Sequence, residues 1–557
     1  MKLFTQLLIF AGLLSLLSCN LDKVEEPTDC PTPPNAVFTP DKTTGNAPLT
    51  VLFGNSSSGA TTYSWSFGDG NTSTSTSPSH TFNTAGTYTV KLIASKGDCK
   101  DSTSVTITVN ATGPMPTAGF TITNGGCIAS CQVTFTNTSS DATAFEWDFG
   151  DGTAISTQVN PSHTFTAPGD YFVKLTATNA GGGIDTETKP VTIEARKFIT
   201  NFGGALYDNG NGILQNSDKS YTIIGETNSL GAGYDDIYLL KIDETGANVL
   251  LETTFGGSFW DSGLDIIATS DNNYVITGSL SINSNNEDIF LRKITQNGSE
   301  IWQRTYGGLN SDKGIRVKET ADGGFIILGI TYSAGAGEGD FTLIKTDAFG
   351  IKTWEKQYGT ANDELALALE LTSDGGYALL GLSFGVDLAS SGAFFVKTDA
   401  NGNESFSPIK FPNTYIGTSI NQTTDGGYIM TIAVFDAFNE ADTKMIKINN
   451  VGGIVWEKLI ASGTGSDYLY GTELSSGEFI LTGYTSSHGT VNKDVLLVKT
   501  TKDGDEIWRK TFGSTADDEA VEVIQTADGG FILVGSTSQT GTDNVYIIKT
   551  DKDGNAQ

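Results

Sequence analysis

Residues 520–538 read AVEVIQTADGGFILVGSTS: an apolar stretch, a turn built on Asp and two glycines, and a second apolar stretch that opens on an aromatic. The pattern recurs from Ala195 to the carboxyl end. Its aromatic is Tyr221, Tyr274, Phe325, Tyr377, Tyr428, Phe479 and Phe531, at spacings of 53, 51, 52, 51, 51 and 52 residues. There are seven repeats. Each starts at GG-x-x-x-D, passes through the two apolar stretches and a Gly/Ser-rich loop, and continues into a segment such as DVLLVKT (494–500) or DFTLIKT (340–346). A D-x-x-G turn and a strand ending in Trp-x-x-x-Phe/Tyr-Gly complete it.

Four short strands in about 50 residues is the pattern of a β-propeller blade. Phase supports a closed ring. The first repeat opens with the last-strand motif, KFITNFGG at 197–204, where Phe198 stands in the place of Trp302, Trp354, Trp456 and Trp508. The final repeat stops at YIIKTDKDGNAQ without that strand, so the amino-terminal strand is expected to complete the last blade and leave no exposed edge. A solenoid would instead need caps. Residues 195–557 therefore read as a seven-bladed propeller, and the repeats resemble the bacterial propeller family with T-x-DGGY units and, more loosely, the SBBP repeat.

Upstream, residues 35–110 and 116–194 align with each other. The first carries WSFGDG (65–70) and PSHTF (78–82), the second WDFGDG (147–152) and PSHTF (161–165), each followed by G-x-Y. Alternating apolar positions and frequent Gly-rich turns mark short, half-buried strands. Both modules resemble the PKD domain, which implies two Ig-like β-sandwiches acting as extracellular spacer or interaction modules. Trp65 and Trp147 are expected in the cores. Asp69 and Asp151 sit between glycines, where a carboxylate bonds nearby backbone N–H groups. His80 and His163 recur at one position, which argues for a shared structural hydrogen bond. The whole chain thus reads as all-β.

The amino end, MKLFTQLLIFAGLLSLLSC, has one Lys and an apolar run too short for a good membrane span, so residues 1–18 read as a secretory signal. Leu16-Leu17-Ser18-Cys19 resembles the lipobox of bacterial lipoproteins, which implies lipidation of Cys19 and a membrane anchor. Residues 19–34 form a Pro/Thr-rich acidic tether that resembles the signal sending Bacteroidetes lipoproteins to the cell surface, so an outer-membrane lipoprotein facing outward is expected. In that oxidising compartment the remaining cysteines are expected to pair as Cys30–Cys99 and Cys127–Cys131; a CxxxC metal site is the rival reading of the second pair.

Composition narrows the chemistry. With 33 Lys plus Arg against 64 Asp plus Glu, the net charge is −31 and no basic footprint exists for nucleic acid. Three histidines in 557 residues argue against His-rich zinc sites and most His-based catalysis. Asp208, Asp261, Asp312, Asp363, Asp467 and Asp517 follow the inter-blade glycines and are expected to form a partial ring at one channel mouth. They read either as a divalent-cation site, with Ca²⁺ the one candidate cofactor, or as turn-forming residues, which their recurrence favours. The repeat around Tyr428 departs from the consensus, and its VFDAFNEAD segment offers Phe435, Phe438, Glu440 and Asp442 as a ligand patch. His488, the propeller's one histidine, has no paired nucleophile motif and is assigned no role. The preferred function is a non-enzymatic, lipid-anchored surface binding or adhesion protein whose propeller loops take an extracellular protein or polysaccharide. The alternative is a propeller glycan hydrolase or lyase using an Asp/Glu pair.

Overall fold

A computed structural model of the chain describes residues 32–284, 286–385, 390–411, 416–435, 440–461, 465–487 and 492–556. The described residues form strands and turns with no α-helix, so no helix among them is long and apolar enough to cross a membrane. Two compact units result, one holding the two amino-terminal modules and the other the repeats that run to the carboxyl end.

Each amino-terminal module is a pair of sheets. In the first, strands Phe38–Pro40, Leu49–Asn55 and Ser79–Phe82 face a sheet that includes Thr62–Ser66, Gly86–Lys96 and Cys99–Asn110. The second repeats this with Phe120–Thr123, Cys131–Asn137 and Ser162–Phe165 against Ala144–Asp148, Gly169–Thr178 and Ile184–Ile193. Period-two alternation sets which side chains enter: Val90, Leu92 and Ala94 are fully buried, as are Val173, Leu175 and Ala177, whereas Phe172 points outward. Trp65 and Trp147 are fully buried, and each indole N–H is satisfied by a backbone carbonyl, of Ser75 and Gln158, at 2.9 Å. Edge-to-face contacts with Phe38 and Phe120 complete the two cores. Cys127 and Cys131 form a disulfide. Cys99 is disulfide-bonded as well, while Cys30, like Cys19, lies outside the described residues.

The repeats form seven four-stranded antiparallel sheets among the described residues, here numbered I to VII: 208–255, 262–306, 312–358, 364–411, 417–461, 467–512 and 518–550 with 198–202. Sheet VII takes its fourth strand from the start of the unit, with Phe198 opposite Lys549 and Phe202 opposite Val545. First strands of successive sheets touch in order, and that of sheet VII touches that of sheet I. Second and third strands are sandwiched on both faces, which explains their unbroken apolar runs; every residue of Phe325–Thr331 and Asp340–Thr346 is buried. Between sheets III and IV, Leu328, Phe341 and Leu343 pack with Leu379, Phe394 and Val396 in one core cluster.

Two devices recur around the unit. The third-strand lysine of every sheet pairs with the acid of the first turn: Lys241–Asp218, Lys293–Asp271, Lys345–Asp322, Lys397–Asp374, Lys447–Asp425, Lys499–Glu478 and Lys549–Asp528, at 2.7–3.4 Å. Its stem is buried and its ammonium reaches the acid. The second device links neighbouring sheets: the glycine of each D-x-x-G turn is covered by a fourth-strand side chain of the preceding sheet. A Cβ on Gly350 would lie 2.7 Å from the Trp302 ring, and one on Gly402 2.8 Å from Trp354. Phe198 covers Gly246 in the same way, so the strand from the start of the unit takes part in the series. Leu251 and Ile409 stand where the aromatic is missing.

Candidate binding face

In an antiparallel four-stranded order, the second-to-third loop and the link into the next sheet emerge at one end of every sheet, and the two tight turns at the other. The candidate aspartates lie at the first of these ends. Asp208, Asp261, Asp312 and Asp467 are buried at the start of their first strands. In three of them the reason is local, since the acid receives the N–H four residues earlier: Gly204 to Asp208 (2.7 Å), Gly257 to Asp261 (2.7 Å) and Gly308 to Asp312 (2.9 Å). Hydroxyl groups add to this, from Ser229 on Asp208 and Ser333 on Asp312, both at 2.8 Å.

Two of the six assignments need correcting. Glu364 and Asp518, not Asp363 and Asp517, hold the buried position, accepting the N–H of Thr360 (2.9 Å) and Ser514 (2.6 Å). Asp363 and Asp517 lie one residue outside, where Asp363 accepts the N–H groups of Glu338 and Gly339 and Asp517 that of Lys493, all at 3.1 Å. Both positions carry an acidic doublet, and only strand register distinguishes its members. The six aspartates do not gather: among the described residues no three His, Cys, Asp or Glu side chains come together in a way that could hold a metal ion.

In sheets II, III and IV the buried acid instead meets one acid of the preceding sheet. The place a Cβ on Gly307 would take lies within 3 Å of both Asp288 and Asp312, and the equivalent place on Gly256 touches Asp236 and Asp261. Burial raises the Asp288 carboxyl above the usual carboxylate range and the Asp312 charge adds to it; burial does the same to Asp236 and Asp261. At the junction of sheets VII and I, Asn544 takes the third-strand position beside Asp208, and in sheet IV Gly392 takes that third-strand position.

The patch predicted in the fifth repeat is reached in part. Phe435 is 38% exposed and ends its strand opposite Ala441, between Glu440 and Asp442 in sequence; Phe438 and His488 lie outside the described residues. Asp442 holds the same third-strand position as Asp236, Asp288 and Asp340, so it belongs to the repeat and is not a departure from it. Sequence reading missed a better-defined feature of this end. Tyr234 and Trp260, 52% and 41% exposed, stack on each other with ring centroids 4.5 Å apart and planes at 17°. Exposed Tyr207, Tyr332 and Phe384 lie in the same family of loops and links, whereas the tight-turn end exposes Phe349. Aromatics outside the consensus positions were the available signal.

In the amino-terminal modules the recurring histidines and aspartates are each other's partners. His80 Nε2 lies 2.7 Å from Asp69, and His163 Nε2 2.6 Å from Asp151. Each imidazole stacks on a phenylalanine, Phe67 or Phe149, at 4.1 Å. Burial pushes both carboxyls up, but hydrogen bonds from the histidine and from Asn71 or Thr153 outweigh it and hold them below the usual carboxylate range. The same constellation stands in both copies and ties the GDG turn to the strand that carries the histidine.

Comparisons with known proteins divide along the same line. The PKD domain family matches residues 31–111 and 110–194. Collagenase ColA of Clostridium perfringens is 43% identical over 56 residues, 10% of this chain and 5% of the collagenase, so the chain spans only a small part of that relative. The PKD1 domain of Vibrio anguillarum Epp is 31% identical and covers 15% of this chain and 99% of its own, with a TM-score of 0.14. An ulvan lyase, a polysaccharide lyase, is 9% identical over 64% of this chain and 97% of its own, with a TM-score of 0.44. PKD domains are typical of extracellular or surface proteins. The amino-terminal part of this chain consists of two PKD domains in tandem.

Proposed function

We propose that the protein is a lipid-anchored, outward-facing outer-membrane lipoprotein whose tandem PKD domains carry a seven-bladed propeller, and that the propeller binds an extracellular protein or polysaccharide without catalysis. The seven sheets are its blades and strand Phe198–Phe202 its closure. The reading rests on one observation: exposed aromatics concentrate where the long loops and inter-sheet links emerge, with the Tyr234–Trp260 stack as their most ordered element. Large, rigid, amphipathic rings on a loop face suit the recognition of another surface or of sugar rings.

The test is a glycan and extracellular-protein array probed with residues 20–557, beside a Trp260→Ala variant. Retained binding that Trp260→Ala weakens supports the reading. Turnover of an arrayed polysaccharide overturns its non-catalytic part, and binding unchanged by the variant overturns the choice of face. Metabolic labelling with palmitate, lost on Cys19→Ala, tests the anchor.

A further inference from the structure

One repeat position is unlike all the others. Nine residues before each consensus aromatic, on the first strand, stand Gly212, Asp265, Arg316, Ala368, Ser419, Tyr470 and Glu522: seven different residues at one place in seven repeats. By contrast the third-strand lysine recurs in every sheet. A position that served only the fold would carry one solution repeatedly, as the lysine does. From sheets II to VII this residue lines a common cavity of about 250 Å³. Two residues further on, Lys318, Glu370 and Asn421 line it as well.

The charges in the cavity are unequally satisfied. Asp265 accepts the N–H of Val317 (2.8 Å) and Glu522 that of Ile213 (2.7 Å), so each acid already has a main-chain donor from the next sheet. The Arg316 guanidinium donates to the carbonyl of its own neighbour Ile315 (2.9 Å); it and the Lys318 ammonium act at longer range on Glu522, and Lys318 on Glu370, but neither makes a direct ion pair among the described residues. Both cations stand on one sheet, so an anion entering the cavity finds its direct partners on one side. Facing it are carboxylate, hydroxyl and amide groups; the Ser419 hydroxyl accepts the Gly471 N–H (2.9 Å) and bonds the Thr431 hydroxyl, which leaves it one further hydrogen bond to give or take. Burial and the Asp265 charge push the Glu522 carboxyl up to about 7, so near neutrality it is poorly suited to hold an ammonium group and well suited to a hydroxyl.

We propose that this central cavity binds a small polyhydroxylated carboxylate of hexose size, a sugar acid, with Arg316 and Lys318 taking its carboxylate and Glu522, Ser419 and Tyr470 its hydroxyls. The site is separate from the aromatic loop face, and its test does not depend on that reading. Calorimetric titration of residues 20–557 with D-glucuronate, D-glucose and acetate is the experiment, repeated on Arg316→Gln and Lys318→Gln with melting curves for each. Saturable one-to-one binding of glucuronate, at least about tenfold tighter than glucose or acetate and weakened about tenfold or more in both variants at unchanged Tm, is expected. Absence of saturable glucuronate binding to the wild type overturns the proposal, as does equal binding by a folded Lys318→Gln protein. Equal affinity for acetate overturns the sugar-acid assignment.

Discussion

The indole of Trp508, on the last strand of sheet VI, fills the space that a side chain on Gly554 of sheet VII would need: a Cβ there would lie 2.7 Å from both Cη2 and Cζ3. Gly554 also has φ +77°, a conformation that disfavours any residue with a Cβ. Sequence, backbone and packing between sheets meet at this contact. It is repeated from Phe198 over Gly246 onward, with Leu251 and Ile409 in place of the aromatic at two junctions, so the turn glycine of one repeat is covered by a fourth-strand side chain of the previous one.

Gly554→Ala is therefore expected to lower stability by about 2–3 kcal/mol, through overpacking in addition to the backbone term. Gly529 supplies the control. Its φ is +79° but nothing lies within 4 Å of its Cβ position, so Gly529→Ala should show only the conformational cost of about 1 kcal/mol. Urea unfolding of the two variants measures the difference, and equal losses would refute the docking role of the indole.

The Lys345–Asp322 pair gives an acid-side prediction. The Thr320 hydroxyl and the Lys345 ammonium hold the Asp322 carboxyl down to about 2, below its unfolded value of 3.8. A depressed carboxylate stabilises the fold above its unfolded value, and the contribution is lost as pH falls through about 2. Asp322 is largely exposed, so solvent screening limits the pair to about 1 kcal/mol. Asp322→Asn should lower Tm at pH 7, and the gap to wild type should close at pH 2.

Sheet-junction acids carry the opposite sign. Asp288, raised by burial and by Asp312, is more easily protonated folded than unfolded. Its ionisation therefore costs stability as pH rises through the folded value, and the cost is absent below the unfolded value of 3.8. Asp288→Asn is expected to raise Tm at pH 7 and to lose that advantage at pH 4. Asn544 already stands at this position beside Asp208, with an amide in place of the ionisable group. A Tm at pH 7 that falls on substitution, and that Ca²⁺ but not Mg²⁺ raises in wild type and leaves unmoved in the variant, would point to a cation between the two acids instead.

How far the sequence could be read depends on what a residue's role repeats. The Tyr221-to-Phe531 series was legible because every sheet needs a large apolar group after the same turn, and the PKD motifs because Trp65 and Trp147 fill equivalent cores. Asp363 and Asp517 were misread because Asp-Glu and Asp-Asp doublets look alike until strand register assigns one member inward. The lysine pairs escaped notice because Lys345 and Asp322 are 23 residues apart, brought together only by a strand pairing. Arg316 and Glu522 carry no motif at all. Their position is visible only when the first strands are placed side by side, and the chemistry that distinguishes them is the absence of repetition.

The last prediction concerns Trp260. Its backbone is fixed independently of its ring, since the Trp260 carbonyl accepts the Ser281 hydroxyl and the next N–H, of Asp261, reaches the Asp235 carbonyl at 2.7 Å. Trp260→Ala should therefore cost less than about 1 kcal/mol of stability, as surface substitutions do. If the loop face is the working face, the same change removes a rigid anchor and should weaken binding of an array-identified partner by about tenfold or more. Phe349→Ala, at the tight-turn end and 67% exposed, removes a comparable apolar group from the other side of the same unit. It should leave that affinity unchanged. Measured by surface plasmon resonance on both variants, a loss confined to Trp260→Ala assigns recognition to the loop face, and a loss confined to Phe349→Ala assigns it to the opposite one.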